Sequence, residues 1–126
     1  MSGAAKLFVV LGALFAALGV ALGAYGAHAL KARLSPDALA VYQTAVQYHM
    51  WHALGLVGVG LLCNALPANS WLRTSGWLLA LGMVLFSGSL YLLVITGTRW
   101  LGALTPLGGG ALIFGWLALA LALLRA

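Results

Sequence analysis

The sequence reads as an all-α integral membrane protein, four transmembrane helices in an antiparallel bundle. Charged residues make up only 6% of the 126 positions and hydrophobic ones 64%, so a water-facing surface could not be built around the core. Four apolar runs are each long enough to cross a hydrocarbon layer of roughly 30 Å, which takes about 20 residues at about 1.5 Å of rise each. Strands could not replace them, because a four-strand sheet cannot close its edges and would leave backbone groups unpaired in lipid. The whole chain, 1–126, is expected to form one domain, with spans at 7–30, 45–66, 71–95 and 105–124 and an amphipathic approach to the second span at 35–47.

The first run lies between Lys6 and Lys31 and carries no charge. It is longer than the roughly 7–15 apolar residues of a signal peptide, and packing accounts for its small residues. Gly12, Ala16, Gly19, Gly23 and Gly26 recur at spacings of four and three, which puts them on one helix face. Close packing of small residues is what joins helices in lipid. An intrachain seam is the expected partner for this face, although a contact between copies would leave the same pattern.

Ser35, Pro36 and Asp37 carry the chemistry of a helix start. Serine caps, proline needs no N–H at the first position, and an acid in the first turn meets the positive end of the dipole. Asp37, Gln43, Thr44 and Gln47 then form a polar face opposite Leu39, Val41 and Val46. This predicts either an interfacial amphipathic helix or the wet end of an overlong span.

The third run is interrupted by Arg73 near its start and carries Ser87, Ser89 and Tyr91 near its end. The fourth opens with Thr105, Pro106 and the triplet Gly108, Gly109, Gly110. Its own small-residue stripe follows at Ala111, Gly115, Ala118 and Ala122. A glycine triplet lets another backbone approach closely, and serines and threonines at membrane depth turn inward to bond carbonyls. Trp71, Trp77 and Trp100 lie near run ends and read as interface anchors.

Basic residues divide evenly between the two ends. Lys6, Arg73 and Arg125 fall on one side, and Lys31, Arg33 and Arg99 on the other. An even number of crossings puts both termini together. The cytoplasm is preferred for them on the expectation that Asp37 or helix ends engage Lys31 and Arg33. The net charge of +5 reflects scarce acids, and no clustered basic face supports nucleic-acid binding. Cys63 is the sole cysteine, so no internal disulfide can form.

Any chemistry would centre on histidine. His49 and His52 are three residues apart on one helix, and His28 sits at the end of the preceding one. An antiparallel pair could bring them together. Neutral imidazole ligates metals and haem iron, yet three histidines without nearby Asp, Glu or Cys match no specific ligand spacing. No metal or cofactor is therefore assigned. Catalysis by paired acids is excluded within one chain, since Asp37 is the sole carboxylate side chain, and nothing would orient a serine–histidine pair. The expected arrangement is an internal polar cluster of His28, His49, His52, Ser87, Ser89, Tyr91 and Thr105, hydrogen-bonded across helices.

Several segments in order resemble a known family: Gly23-Ala24-Tyr25-Gly26-Ala27-His28, Leu34-Ser35-Pro36, Tyr48-His49 with His52, Ser87-Gly88-Ser89-Leu90-Tyr91, Thr105-Pro106-Leu107-Gly108-Gly109 and Gly115-Trp116. Together they are similar to the small YwdK/YgdD-type membrane proteins, a domain-of-unknown-function family. The resemblance covers essentially the whole chain and implies a bacterial, multi-pass plasma-membrane protein, with no activity, substrate or cofactor to carry over. The function read from the residues is a non-catalytic structural or accessory membrane module. Its partners would be the lipid bilayer and a homo-oligomer or membrane-complex partner. The alternative is a proton, metal-ion or small-solute pathway along the histidines.

Overall fold

A computed structural model describes residues 1–126. It contains four long helices, α1 (Gly3–His28), α2 (Pro36–Ala65), α3 (Ser70–Thr96) and α4 (Leu104–Leu124), and two short 3-10 turns at Leu30–Ala32 and Arg99–Ala103. No strand is present. Three helical stretches, Gly3–Ala32, Ser70–Thr96 and Arg99–Leu124, are long and apolar enough to cross a membrane. α2 has ample length but a more polar composition, because Gln43, Gln47, His49, His52 and Asn64 interrupt its apolar residues.

Local chemistry sets the helix ends. The Ser2 hydroxyl accepts from the Ala5 N–H at 3.2 Å, so α1 begins four residues earlier than the apolar run suggested. Ser35 caps α2 in the same way, accepting from the Ala38 N–H at 3.2 Å, with Pro36 as its first residue. The polar stretch 35–47 is not a separate interfacial helix. Nothing between Asp37 and Leu54 breaks the ladder, and the Thr44 hydroxyl returns to the Ala40 carbonyl at 3.1 Å, so α2 runs unbroken for 30 residues. α3 stops at Gly97, whose φ of 69° is the left-handed conformation that glycine adopts freely.

Asn69 ties two connections together. Its side-chain oxygen accepts from the N–H groups of Trp71 and Leu72, and its amide donates to the Ala122 carbonyl at 3.1 Å. The end of α4 is thereby fastened to the start of α3.

Successive helices pack antiparallel, but α1 and α4 form no packed pair. The arrangement is a folded chain of neighbours with α2 and α3 at its centre rather than a closed square. Phe8, Leu56, Val59, Leu72, Leu79, Met83 and Leu112 form the middle of the apolar core. Lipid is as apolar as these side chains, so what holds the helices together is close fit and interhelical hydrogen bonds. Both small-residue stripes face neighbours in the same chain. A Cβ at Gly12 would fall 2.8 Å from the Ala53 carbonyl oxygen, and one at Gly115 2.9 Å from Leu79 Cδ2.

Asp37, Lys31 and Arg33 are all exposed. No ion pair within 4.0 Å joins Asp37 to either base.

Candidate functional site

A helix carbonyl points toward the residue four positions on, and a side chain there screens it. Gly19 and Gly26 stand four residues after Phe15 and Leu22, leaving those two carbonyls of α1 open to donors from α2. His49 Nε2 bonds the Phe15 carbonyl at 2.7 Å, and the Tyr42 hydroxyl donates to the Leu22 carbonyl. The same seven-residue step thus separates the two glycines, the two carbonyls and the two donors. A Cβ at Gly26 would collide with the Tyr42 ring, and one at Gly19 would lie 3.4 Å from His49 Cδ2 and closer still to Met50.

The other nitrogen of His49 is also occupied. Nδ1 lies 2.9 Å from the Tyr91 hydroxyl. A carbonyl only accepts, so Nε2 carries the proton, Nδ1 is a lone pair, and the Tyr91 O–H donates to it. These residues meet because side chains lean toward the N-terminus of their own helix. α2 and α3 run in opposite directions, so His49 and Tyr91 lean toward each other and converge beside Ser87, whose hydroxyl donates to the Ala45 carbonyl at 2.8 Å. The Phe15 ring packs edge-on against His49 and the Tyr42 ring lies against Tyr91. A groove of about 230 Å³ between α1 and α3 ends on His49, Ser87 and Tyr91 and is otherwise mostly apolar.

The remaining members of the expected cluster lie elsewhere. His52, although three residues from His49, turns toward the α4 side of α2. Its Nδ1 donates to the Tyr48 carbonyl of its own helix at 2.6 Å, and its ring lies between Tyr48 and Trp116. Ser89 and Thr105 bond each other at 2.7 Å in the seam between α3 and α4. His28 is exposed at the end of α1. Gly19 lies beside His49, and His28 is nine residues further along, about 13 Å at ~1.5 Å per residue. The single cluster is therefore corrected to three separate seams plus an exposed histidine. Tyr48, Phe86 and Trp116 fill the space between the first two seams with aromatic packing.

Tyr42, Ser75 and the Phe15 carbonyl are site members that the sequence reading missed. Ser75 donates to the Gly115 carbonyl at 2.7 Å in full burial. A signal was present, since Ser75, Gly82 and Ser89 repeat every seven residues on α3 and all face α4, just as Tyr42 and His49 do on α2 toward α1. No buried side-chain nitrogen or oxygen is left without a partner. His, Cys, Asp and Glu residues nowhere gather in threes, and the polar side chains crosslink helices.

A family model described as "Protein of unknown function (DUF423)" matches residues 22–109, which include all of α2 and α3 and the histidine, serine, tyrosine and threonine side chains of the polar seams, but not the Phe15 and Gly115 carbonyls or Trp116. The chain belongs to this family. It is 48% identical to UPF0382 membrane protein YwdK of Bacillus subtilis over 120 residues, 95% of this chain and 98% of that protein. It is 46% identical to a UPF0382 membrane protein of Staphylococcus epidermidis over 120 residues, 95% of this chain and 97% of that one. No solved structure matches. These relatives carry the description of membrane protein, and the three apolar helical stretches agree with a place in the lipid bilayer.

Proposed function

We propose that this DUF423 protein is a non-catalytic accessory module of the bacterial plasma membrane, crossing it four times with both termini on one side. The observation that carries the reading is the saturation of its buried polar groups. His49 spends both nitrogens on Phe15 and Tyr91, and Ser75, Ser87 and Ser89 each donate to a carbonyl or hydroxyl within the chain. A relay for protons or solutes needs donors and acceptors that exchange partners, whereas these are fixed crosslinks between helices. His28, which a histidine pathway would use, is remote from them.

Length supports α2 as the fourth crossing. Its 30 residues span about 45 Å, close to the roughly 40–45 Å of a bilayer with its headgroups, while the 21 residues of α4 span about 31 Å, close to the hydrocarbon layer alone. The polar side chains that dilute α2 include His49 and His52, both buried against neighbouring helices rather than presented to lipid. Cysteines introduced singly at Ser35 and Asn64 should be labelled by an impermeant maleimide from opposite faces of the membrane, and labelling of both from one face would reject the fourth crossing.

The accessory role is tested in two ways. Proteoliposomes should dissipate an imposed pH gradient no faster than empty liposomes. A faster decay abolished by His49→Gln would replace this reading with a conducting one. Crosslinking in native membranes should recover a second copy or a larger complex, and a strictly solitary monomer would count against a module.

A further inference from the structure

We propose that the open groove between the start of α2 and the end of α3 binds the headgroup of an amine-bearing zwitterionic phospholipid, with Asp37 receiving the ammonium and Arg99 the phosphate. This rests on α2 crossing the membrane, which puts its first turns at headgroup depth.

The groove measures about 580 Å³ and is lined by Ser35, Asp37, Val41, Leu93, Gly97 and Arg99, among others. That volume lies in the usual range of small-ligand sites, roughly 300–1,000 Å³. Its chemistry is divided. Asp37, the chain's single carboxylate side chain, and Arg99 are both exposed and line the same groove, yet they lie farther apart than the 4.0 Å of an ion pair. Neither neutralises the other, so the groove offers a negative and a positive group to one ligand that carries both charges. A guanidinium suits phosphate oxygens because its planar fork donates two parallel hydrogen bonds. A primary ammonium has three donors to give a carboxylate.

The remaining walls fit the rest of a lipid. Val41, Leu93 and Val94 are half-buried and continue from the charged rim toward the hydrocarbon layer, where acyl chains run. Gly97 leaves its part of the groove open, with nothing within 4 Å of where a side chain would begin. Trp100, 65% exposed, stands next to Arg99, in keeping with an aromatic at headgroup level. Lys31 and Arg33 lie at the same end of the molecule but do not line the groove. An anionic headgroup without an amine would gain Arg99 but meet Asp37 as a like charge, so the pair selects against it.

The test is a lipid titration of the full-length protein in mild detergent, read by native mass spectrometry. The probes are phosphatidylethanolamine and phosphatidylglycerol with matched acyl chains. The wild type should bind phosphatidylethanolamine about tenfold more tightly, the scale of one charge-assisted contact. Asp37→Asn should bring the two lipids within about twofold, Asp37→Glu should keep the preference, and Arg99→Gln should weaken both by about tenfold. Equal binding by the wild type, tighter binding of phosphatidylglycerol, or a preference untouched by Asp37→Asn would overturn the proposal. Failure of the maleimide experiment removes the fourth crossing, whereas failure here removes only headgroup selectivity.

Discussion

Gly108→Ala should drive α3 and α4 apart, while Gly110→Ala, the same change two residues away, should not. A Cβ at Gly108 would collide with the Phe86 nitrogen and lie 2.8 Å from the Phe86 Cα and 2.9 Å from the Leu85 carbonyl carbon. These are backbone atoms and cannot rotate away, so restoring an ordinary separation of roughly 3.5 Å requires the helix axes to part by more than half an ångström. Overpacking of this kind costs about 1–3 kcal/mol. Parting the helices also stretches the Ser75–Gly115 and Ser89–Thr105 hydrogen bonds, both 2.7 Å, at about 0.6 kcal/mol each. Against this stands a gain of about 1 kcal/mol from replacing glycine by alanine in a helix. The net expectation is a loss of about 1–3 kcal/mol. At Gly110 nothing lies within 4 Å of the new Cβ, so only the helix gain remains and the variant should match or exceed the wild type. Reversible unfolding in mixed micelles with increasing sodium dodecyl sulfate, followed by circular dichroism, gives both values. A Gly108→Ala variant as stable as wild type, or a Gly110→Ala variant equally damaged, would refute the argument that backbone contact at this one position sets the α3–α4 distance.

A double-mutant cycle with His49→Gln and Tyr91→Phe, measured in the same unfolding assay, should return a coupling of about 0.5–1.5 kcal/mol, and independence would mean that the Nδ1 contact does not form. Gly19→Val should reproduce the loss of the His49–Phe15 bond by covering the carbonyl and displacing Met50, lowering stability by about 1–3 kcal/mol. Stability equal to wild type would show that the glycine is not what admits the imidazole. Cys63 is 2% exposed and should react with a maleimide at least about tenfold faster once the bundle is unfolded, since an opening free energy of 1.4 kcal/mol already gives that factor. Equal rates would place the thiol at the surface.

Much of this molecule was legible in its sequence, because the determining interactions are short-range. Scarcity of charge fixes lipid as the solvent, run length fixes the scale of the helices, and Ser35-Pro36 marks a boundary through bonds that span three or four residues. The glycine and alanine stripes of α1 and α4 could likewise be read as packing faces from their spacing. Which neighbour each face meets is decided only by the tertiary structure, because a contact depends on two helices at once. Of three successive glycines, only Gly108 is pressed against a neighbouring backbone. His49 and His52 share a helix, yet an angular offset of about 60° between residues three apart sends them into different seams, where the antiparallel lean of α2 and α3 side chains makes Tyr91 the partner of His49 while His52 lies against Trp116 of α4. The Phe15 and Leu22 carbonyls belong to apolar residues, so a reading by side-chain type passes over them. Their role arises because glycines uncover them just where α2 supplies donors, and that coincidence exists only once the helices are packed.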